Sequence, residues 1–162
     1  MEEKKFNKTY REFAARIFRY VYFKVSDYDT AADVTADTFT RFWKILRKED
    51  IGKTKAFLFS IANGIIIDYY RKKSNQKKVS LTTVDERLLG FTDNNEDALG
   101  QKQEIESLLQ KLKKLKKEYQ DIVLLHYVEE LTITEISFIL RKKENNTRVI
   151  LHRALQALKK LV

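Results

Sequence analysis

The chain has 162 residues with no cysteine, no proline, four glycines and a formal net charge of +9. The lack of cysteine excludes disulfides and thiolate metal sites and favours a reducing cytoplasm, while the lack of proline and scarcity of glycine argue against turn-rich β architecture. No apolar run approaches membrane-spanning length and the N-terminus lacks a signal-peptide core, so we expect a cytoplasmic protein without membrane insertion.

The positive charge is concentrated in two blocks. Residues 1–74 contain 16 Lys and Arg against 10 Asp and Glu, and residues 102–162 contain 13 against 8. Residues 75–101 contain only 3 against 5. Two basic blocks are typical of a nucleic-acid-binding protein with two contact modules, although solvated lysines also occur without such a role.

Two helical patterns open the first block. Residues 5–25 carry apolar side chains at helical spacing, and a polar break at residues 26–29 ends the pattern. The second pattern covers residues 31–46, and Thr30 with Asp33 predicts a capping box at its start. The core stripe of this second helix includes Phe39, Phe42 and Trp43.

A third helix is predicted over residues 55–73. It is apolar on nearly all sides and ends in three cations, so it must be buried or contact a partner. Residues 75–101 lose the periodicity and collect polar and acidic side chains, which predicts a flexible linker. Two further helices are predicted, one from about Ala98 past Leu115 and one from about Glu118 to Val128.

Residues 130–162 predict a helix-turn-helix. Thr132 and Glu135 form a capping box for a short helix that ends at Leu140. A basic turn follows, and a long helix begins near Glu144. Lys142 and Lys143 are placed to meet phosphate, and the start of the long helix offers side chains that pair with base edges in a major groove. These side chains are Asn145, Asn146 and Arg148.

The first block resembles region two of the extracytoplasmic-function group of sigma-70 family RNA polymerase sigma factors. The matching positions of the first motif are Ala31, Asp33, Phe39 and Trp43. Those of the second motif are Ala56, Leu58, Ile61, Ala62, Asp68 and Arg71. Where the family has Asn in the second motif this chain has Gly64, with Asn63 one place earlier.

The last block resembles region four of the same factors. The matching positions are Leu131, Thr132, Glu135, Ile136, Ile139, Leu140, Arg153, Ala154 and Leu158. Arg141 replaces the family's turn Gly, the residue type that most easily adopts a left-handed conformation, and Asn145 or Asn146 is an alternative place for that conformation. Asn146 and Thr147 replace the family's Thr-Val pair.

The resemblance implies a non-enzymatic, all-α protein of two small helical domains, residues 1–74 and 102–162, joined by the linker. It implies that core RNA polymerase, through its largest-subunit clamp helices and its flap, promoter DNA and an anti-sigma factor are the partners. The implied polymerase-binding residues are Asp33, Asp37, Thr40, Arg41 and Lys44. Those for the downstream promoter element and its melting are Lys53, Lys55, Phe57, Asn63, Tyr70, Arg71 and Lys72. Those for the upstream element are Lys142, Lys143, Asn145, Asn146, Thr147, Arg148, His152 and Arg153.

No catalytic, cofactor or metal constellation is recognisable, and His126 and His152 are expected to be ordinary helix residues. Two other classes of protein fit part of the pattern. One is a helix-turn-helix regulator that binds DNA without polymerase, with residues 1–74 as a sensing or dimerisation domain. The other is a helical protein-interaction module whose basic surface is incidental.

Overall fold

A computed structural model describes residues 1–74 and 98–161, apart from the side chains of residues 98–102 and 105. The chain divides into two compact units, and their described parts are here called the first unit (residues 1–74) and the second unit (residues 98–161). All regular structure in both described ranges is helical, as predicted. The predicted linker lies outside the described residues as far as residue 97, together with its acidic side chains.

The first unit consists of three helices, α1 (Glu2–Val25), α2 (Tyr28–Leu46) and α3 (Thr54–Lys73). The apolar stripes of the three helices meet in one core, in which the rings of Tyr20 and Phe59 lie edge to face at 5.3 Å. The fully buried large side chains of this core include Ile17, Tyr20, Phe42, Leu58, Phe59 and Ile66. Trp43 is only partly buried and Tyr10 is exposed, so the aromatic stripe predicted for the core reaches the surface at one edge.

The turn between α1 and α2 corrects the predicted helix start. Ser26 adopts a left-handed conformation, and Asp27, not Thr30, is the N-cap. The Asp27 carboxylate accepts hydrogen bonds from the Thr30 backbone N–H at 2.9 Å and its hydroxyl at 2.5 Å. These bonds lower the pKa of Asp27. The predicted Thr30–Asp33 capping box was wrong because the helix begins one turn earlier.

The second unit contains α4 (Ala98–Leu112), α5 (Lys117–Val123), α6 (Ile133–Leu140) and α7 (Glu144–Lys159). α4 ends at Leu112, earlier than predicted. α5 continues into one wide π-helical turn, Leu124–Val128. In this turn Tyr127 faces solvent, while His126 is half-buried with its Nδ1 2.9 Å from the Leu131 carbonyl. The core side chains include Leu109, Leu112, Ile122, Leu125, Ile136, Ile139, Ile150 and Ala154.

The helix-turn-helix is formed by α6 and α7. The predicted capping box is confirmed, because the Thr132 hydroxyl accepts from the Glu135 N–H at 3.1 Å and the Glu135 carboxylate accepts from the Thr132 N–H at 2.9 Å. After α6, Arg141 takes the left-handed conformation with φ 55° and ψ 47°. The alternative of Asn145 or Asn146 was wrong, since both lie inside α7.

The turn keeps its hydrogen bonds without the glycine. The Lys142 N–H donates to the Ser137 carbonyl at 3.0 Å, and the Arg141 N–H reaches the Phe138 carbonyl at 3.4 Å. This 6→1 and 5→2 pairing is the Schellman arrangement, which satisfies the last carbonyls of a helix. The turn therefore keeps its geometry without glycine, and Arg141 adopts a left-handed backbone conformation that is unfavourable for a residue with a Cβ.

Candidate functional site

The five residues that the resemblance assigned to polymerase binding lie on one outer face of α2. At about 100° per residue they fall within an arc of about 100°, opposite the buried stripe that contains Val34, Thr38 and Phe42. Asp37 and Arg41 form an ion pair at 3.2 Å one turn apart, and the Thr40 hydroxyl donates to the Ala36 carbonyl. We call this set, Asp33, Asp37, Thr40, Arg41 and Lys44, the α2 face.

The residues assigned to the downstream promoter element do not form one cluster. Lys53 and Lys55 lie at the start of α3, whereas Arg71 and Lys72 lie at its end. At 1.5 Å per residue the two pairs are about 24 Å apart along the axis. Arg71 is 3.9 Å from Asp68, a long and exposed ion pair. Any DNA that meets both ends must follow the length of this helix.

Asn63 was predicted to contact melted DNA, and the structure places it in the core. It is only 6% exposed, and its side-chain oxygen lies 3.4 Å from the Tyr20 hydroxyl. A polar group at such a depth is normally satisfied by a partner inside the protein. Asn63 therefore connects α1 with α3, and it is not available to DNA in this arrangement.

Tyr70 is half-buried, and its hydroxyl donates to the Lys24 carbonyl in the last turn of α1. This hydrogen bond joins the end of α3 to the end of α1. It therefore fixes the last turn of α3, which contains Arg71, Lys72 and Lys73. Tyr69 packs edge to face against Tyr70, and the Lys73 ammonium donates to the Tyr69 hydroxyl at 3.2 Å.

The open side of α3 combines predicted residues with two that were not predicted, Gly64 and Ile67. A Cβ built on Gly64 meets nothing within 4 Å, so this position faces open space. Helical spacing puts half-buried Phe57 and exposed Ile67 and Arg71 on the same side. The position where the family has Asn is thus on the surface in this chain, although the residue there is glycine.

The start of α7 presents the predicted reading side chains. Asn145, Arg148 and His152 share one exposed face, and Asn146 and Arg153 lie on its flank. The Asn145 side-chain oxygen accepts a hydrogen bond from Arg148 Nη1 at 3.1 Å, which pre-orients both side chains one turn apart. We call Asn145, Arg148, Val149 and His152 the reading face, because Val149 lies among them; the sequence analysis missed it.

Thr147 was assigned to DNA contact, and the structure corrects this. It is fully buried, and its hydroxyl donates to the Lys143 carbonyl and accepts from the Ser137 hydroxyl at 2.9 Å. Thr147 therefore holds α7 against α6. Thr147 was assigned to DNA contact because it stands at a position that the family uses for recognition. Its burial depends on Ser137 in the neighbouring helix, which the sequence around Thr147 does not show.

The two turn lysines differ. Lys143 is exposed at the N-cap position of α7, and Lys142 is half-buried with its ammonium 3.5 Å from a carboxylate oxygen of Glu118. Lys142 thus ties the turn to α5 in the free unit. Glu144, in the first turn of α7, accepts a hydrogen bond from the Thr134 hydroxyl, which joins the two helices at their exposed ends.

Two negative findings apply to the described residues. No group of three or more His, Asp or Glu among them is placed to hold a metal ion. None of their helices combines the length and apolarity needed to cross a bilayer.

Comparisons with known proteins agree with the geometry of both units. The family description "Sigma-70 region 2" matches residues 9–76, and "Sigma-70, region 4" matches residues 105–158. The ECF RNA polymerase sigma factor SigM of Bacillus subtilis (strain 168) is 30% identical over 154 residues, covering 94% of this chain and 91% of SigM. SigW, an ECF sigma factor of the same organism, is 27% identical over 153 residues, covering 90% of this chain and 82% of SigW.

Solved structures support the fold. The sigma factor RpoE in complex with the anti-sigma factor NepR from Bartonella quintana has a TM-score of 0.71 at 15% identity, covering 98% of this chain and 96% of that chain. CnrH in complex with the cytosolic domain of CnrY has a TM-score of 0.63 at 18% identity, covering 98% and 88%.

The three-helix unit with its charged outer helix face and the helix-turn-helix unit, each matched by a family description, are the two modules of a transcription initiation factor. The chain belongs to the ECF group of the sigma-70 family of RNA polymerase sigma factors, with regions 2 and 4. It promotes promoter-specific initiation of transcription by RNA polymerase. This sets aside both a DNA-binding regulator that works without polymerase and a generic interaction module.

Proposed function

We propose that the α2 face binds the clamp helices of the largest polymerase subunit. Its five polar side chains project outward from a helix whose other side is packed in the core, so a partner meets a rigid, pre-formed surface. The Asp37–Arg41 pair gives the surface a fixed pattern of opposite charges. Such patterns confer specificity and orientation on an interface more than raw affinity.

The ends of α3 then contact the downstream promoter element. Lys53, Lys55, Arg71 and Lys72 supply phosphate contacts, and Phe57 supplies an aromatic surface for an unpaired base. Tyr70 supports this arrangement from inside, through its bond to Lys24. Asn63 has no direct role in this scheme.

The reading face of α7 recognises the upstream promoter element in the major groove, with Lys143 on phosphate and Asn146 and Arg153 at the edges. Lys142 joins it by exchanging Glu118 for phosphate when DNA binds. Asn and Arg side chains form bidentate contacts with adenine and guanine respectively. The hydrogen bond between Asn145 and Arg148 holds both side chains in place on α7 and so pre-organises the contact.

The second unit also meets the polymerase flap through apolar side chains away from the reading face. Phe138 on α6 is 56% exposed and Tyr127 after α5 is 50% exposed. Aromatic side chains are enriched at protein–protein interfaces relative to the rest of a protein surface. An anti-sigma factor occupies one or more of these surfaces and so keeps the protein from polymerase, as the complexes of the structural relatives suggest.

The observation that carries the α2 assignment is the exposure of all five predicted side chains on one face, and charge reversal tests it. Asp33→Lys with Asp37→Lys should weaken binding to core RNA polymerase by roughly tenfold or more, measured by fluorescence anisotropy of the labelled full chain. The matched control is Glu12→Lys with Glu49→Lys, which adds the same charge at exposed positions elsewhere on the first unit. If both double variants lose the same affinity for core RNA polymerase, the effect is due to net charge, and the α2 face is not the polymerase-binding surface.

A further inference from the structure

Val149 is an apolar side chain in a polar setting. It is 45% exposed and lies about one and a half turns from the start of α7. The buried stripe of this helix consists of Thr147, Ile150 and Ala154. At about 100° per residue, Val149 lies roughly 140° from Ala154, so it is not part of the packing against α6.

The neighbours of Val149 on the helix surface are all polar. Side chains three and four residues apart on a helix are adjacent, so Val149 is bordered by Asn145 one turn before and by His152 and Arg153 one turn after. Arg148 stands beside it, hydrogen-bonded to Asn145. Val149 is therefore surrounded by the groups that our proposed function directs at base edges.

Neither helix formation nor core packing explains valine here. β-Branched residues are less favourable in helices than Ala, Arg or Lys, and an exposed valine gains no burial in the free protein. An apolar group gains from its position only when a partner covers it. In a major groove the partner for an apolar side chain is the C5 methyl group of thymine, because the other base edges there present donors and acceptors.

We propose that Val149 is a specificity-determining residue that contacts the C5 methyl group of one thymine in the upstream promoter element. The inference rests on the proposed role of α7 in reading that element. Val149 and Asn145 are about 6 Å apart along the helix axis, and base pairs repeat every 3.4 Å, so the thymine lies within about two base pairs of the one that Asn145 contacts. A cytosine bearing a 5-methyl group presents the same apolar surface.

Replacement of thymine by deoxyuridine tests the proposal, because it removes this methyl group and leaves the base pairing intact. The full chain bound to core RNA polymerase is used, on a promoter first located by mapping its transcription start sites. Each thymine of the upstream element is replaced in turn, and binding to the promoter is measured. With the wild type, one position should lose about fourfold in affinity, the amount expected for one buried methyl-sized group.

The variants identify the protein side of the contact. Val149→Ser should bind the thymine promoter about fourfold more weakly and should be insensitive to deoxyuridine at that position, whereas Val149→Thr, which keeps one methyl, should retain most of the sensitivity. Val149 is exposed, so these changes leave the core intact, and circular dichroism of each variant checks the fold.

The possible outcomes distinguish a failure of the Val149–thymine contact from a failure of the proposed reading role of α7. If Asn145→Ala and Arg148→Ala change base preference but no thymine shows a methyl effect that depends on Val149, the inference is overturned and the reading role of α7 stands. If Val149→Ser weakens binding to polymerase equally with and without DNA, its partner is protein and the inference is again overturned. If neither the two Ala variants nor Val149→Ser changes base preference, the proposed reading role itself fails.

Discussion

Replacing Arg141 by glycine should stabilise the second unit, because Arg141 occupies the left-handed region with φ 55°. For a residue with a Cβ this conformation costs about 1–2 kcal/mol. Glycine avoids that cost but loses about 0.5–1 kcal/mol through its greater freedom in the unfolded chain. The net gain for Arg141→Gly is therefore about 0.5–1 kcal/mol, since the hydrogen bonds around Ser137 and Phe138 involve only the backbone.

Hydrogen exchange of the amides of α6 and α7 in the full chain measures this change for the second unit alone. A gain of about 0.5–1 kcal/mol slows their exchange about two- to fivefold. Arg141→Ala is the matched control, because it removes the same guanidinium and keeps the Cβ. The reasoning is refuted if the glycine variant exchanges no more slowly than the alanine variant, since backbone strain would then not be the relevant cost.

Four further changes test other parts of the structure. Gly64→Ala should raise the urea midpoint of the first unit by the equivalent of about 0.5–1 kcal/mol, because its added methyl meets open space; a simultaneous loss of initiation would show that a partner approaches this face closely. Thr132→Ala should remove the cap of α6, cost about 1 kcal/mol and speed amide exchange in that helix. Hydrogen bonds from Thr30 lower the pKa of Asp27, so the stability it contributes is present above its unfolded value of 3.8 and is lost as pH falls through the lower folded pKa; Asp27→Asn should flatten this acid limb in thermal melts, and an unchanged limb would contradict the assignment. Burial lowers the pKa of Lys113 to about 8, so the folded state binds its proton less tightly than the unfolded state, and stability should rise between pH 8 and about 10.5; Lys113→Met should abolish that rise in denaturation curves.

The helices of both units were predictable from sequence because their apolar residues recur at helical spacing over about two turns or more. The α2 face was predictable for the same reason, since a buried stripe fixes which residues point outward. The capping box at Thr132 depends on residues three apart and is equally local. Such features depend only on residues within a few positions of one another, so they can be predicted without knowledge of the tertiary contacts.

The mispredicted residues depend on contacts distant in sequence. Asn63 is buried because Tyr20, 43 residues earlier, offers its hydroxyl, and Thr147 is buried because Ser137 lies against it. Both are polar residues near positions where the family places DNA contacts. A polar side chain beside a predicted surface gives no local sign that another helix satisfies it.

The wide turn after α5 is a further non-local feature. The extra residue per turn between Leu124 and Val128 changes the direction of the side chains that follow it. The sequence has no local sign of such a turn, so the side-chain directions after Leu124 were not available to periodicity alone.

The structure separates the residues that we propose to meet partners from the residues that hold the helices in place. Asp27, Tyr70, Thr132 and Arg141 lie at helix ends, where they satisfy backbone groups or join one helix to another, and none of them belongs to the α2 face or the reading face. A change at such a position shifts a whole face by altering the end of its helix, so it should weaken binding to many promoters or to polymerase without changing base preference. A change at Asn145 or on the α2 face leaves stability intact and alters one interaction. Stability and specificity measured together on the same variant therefore distinguish the two kinds of residue, where a loss of transcription alone would not.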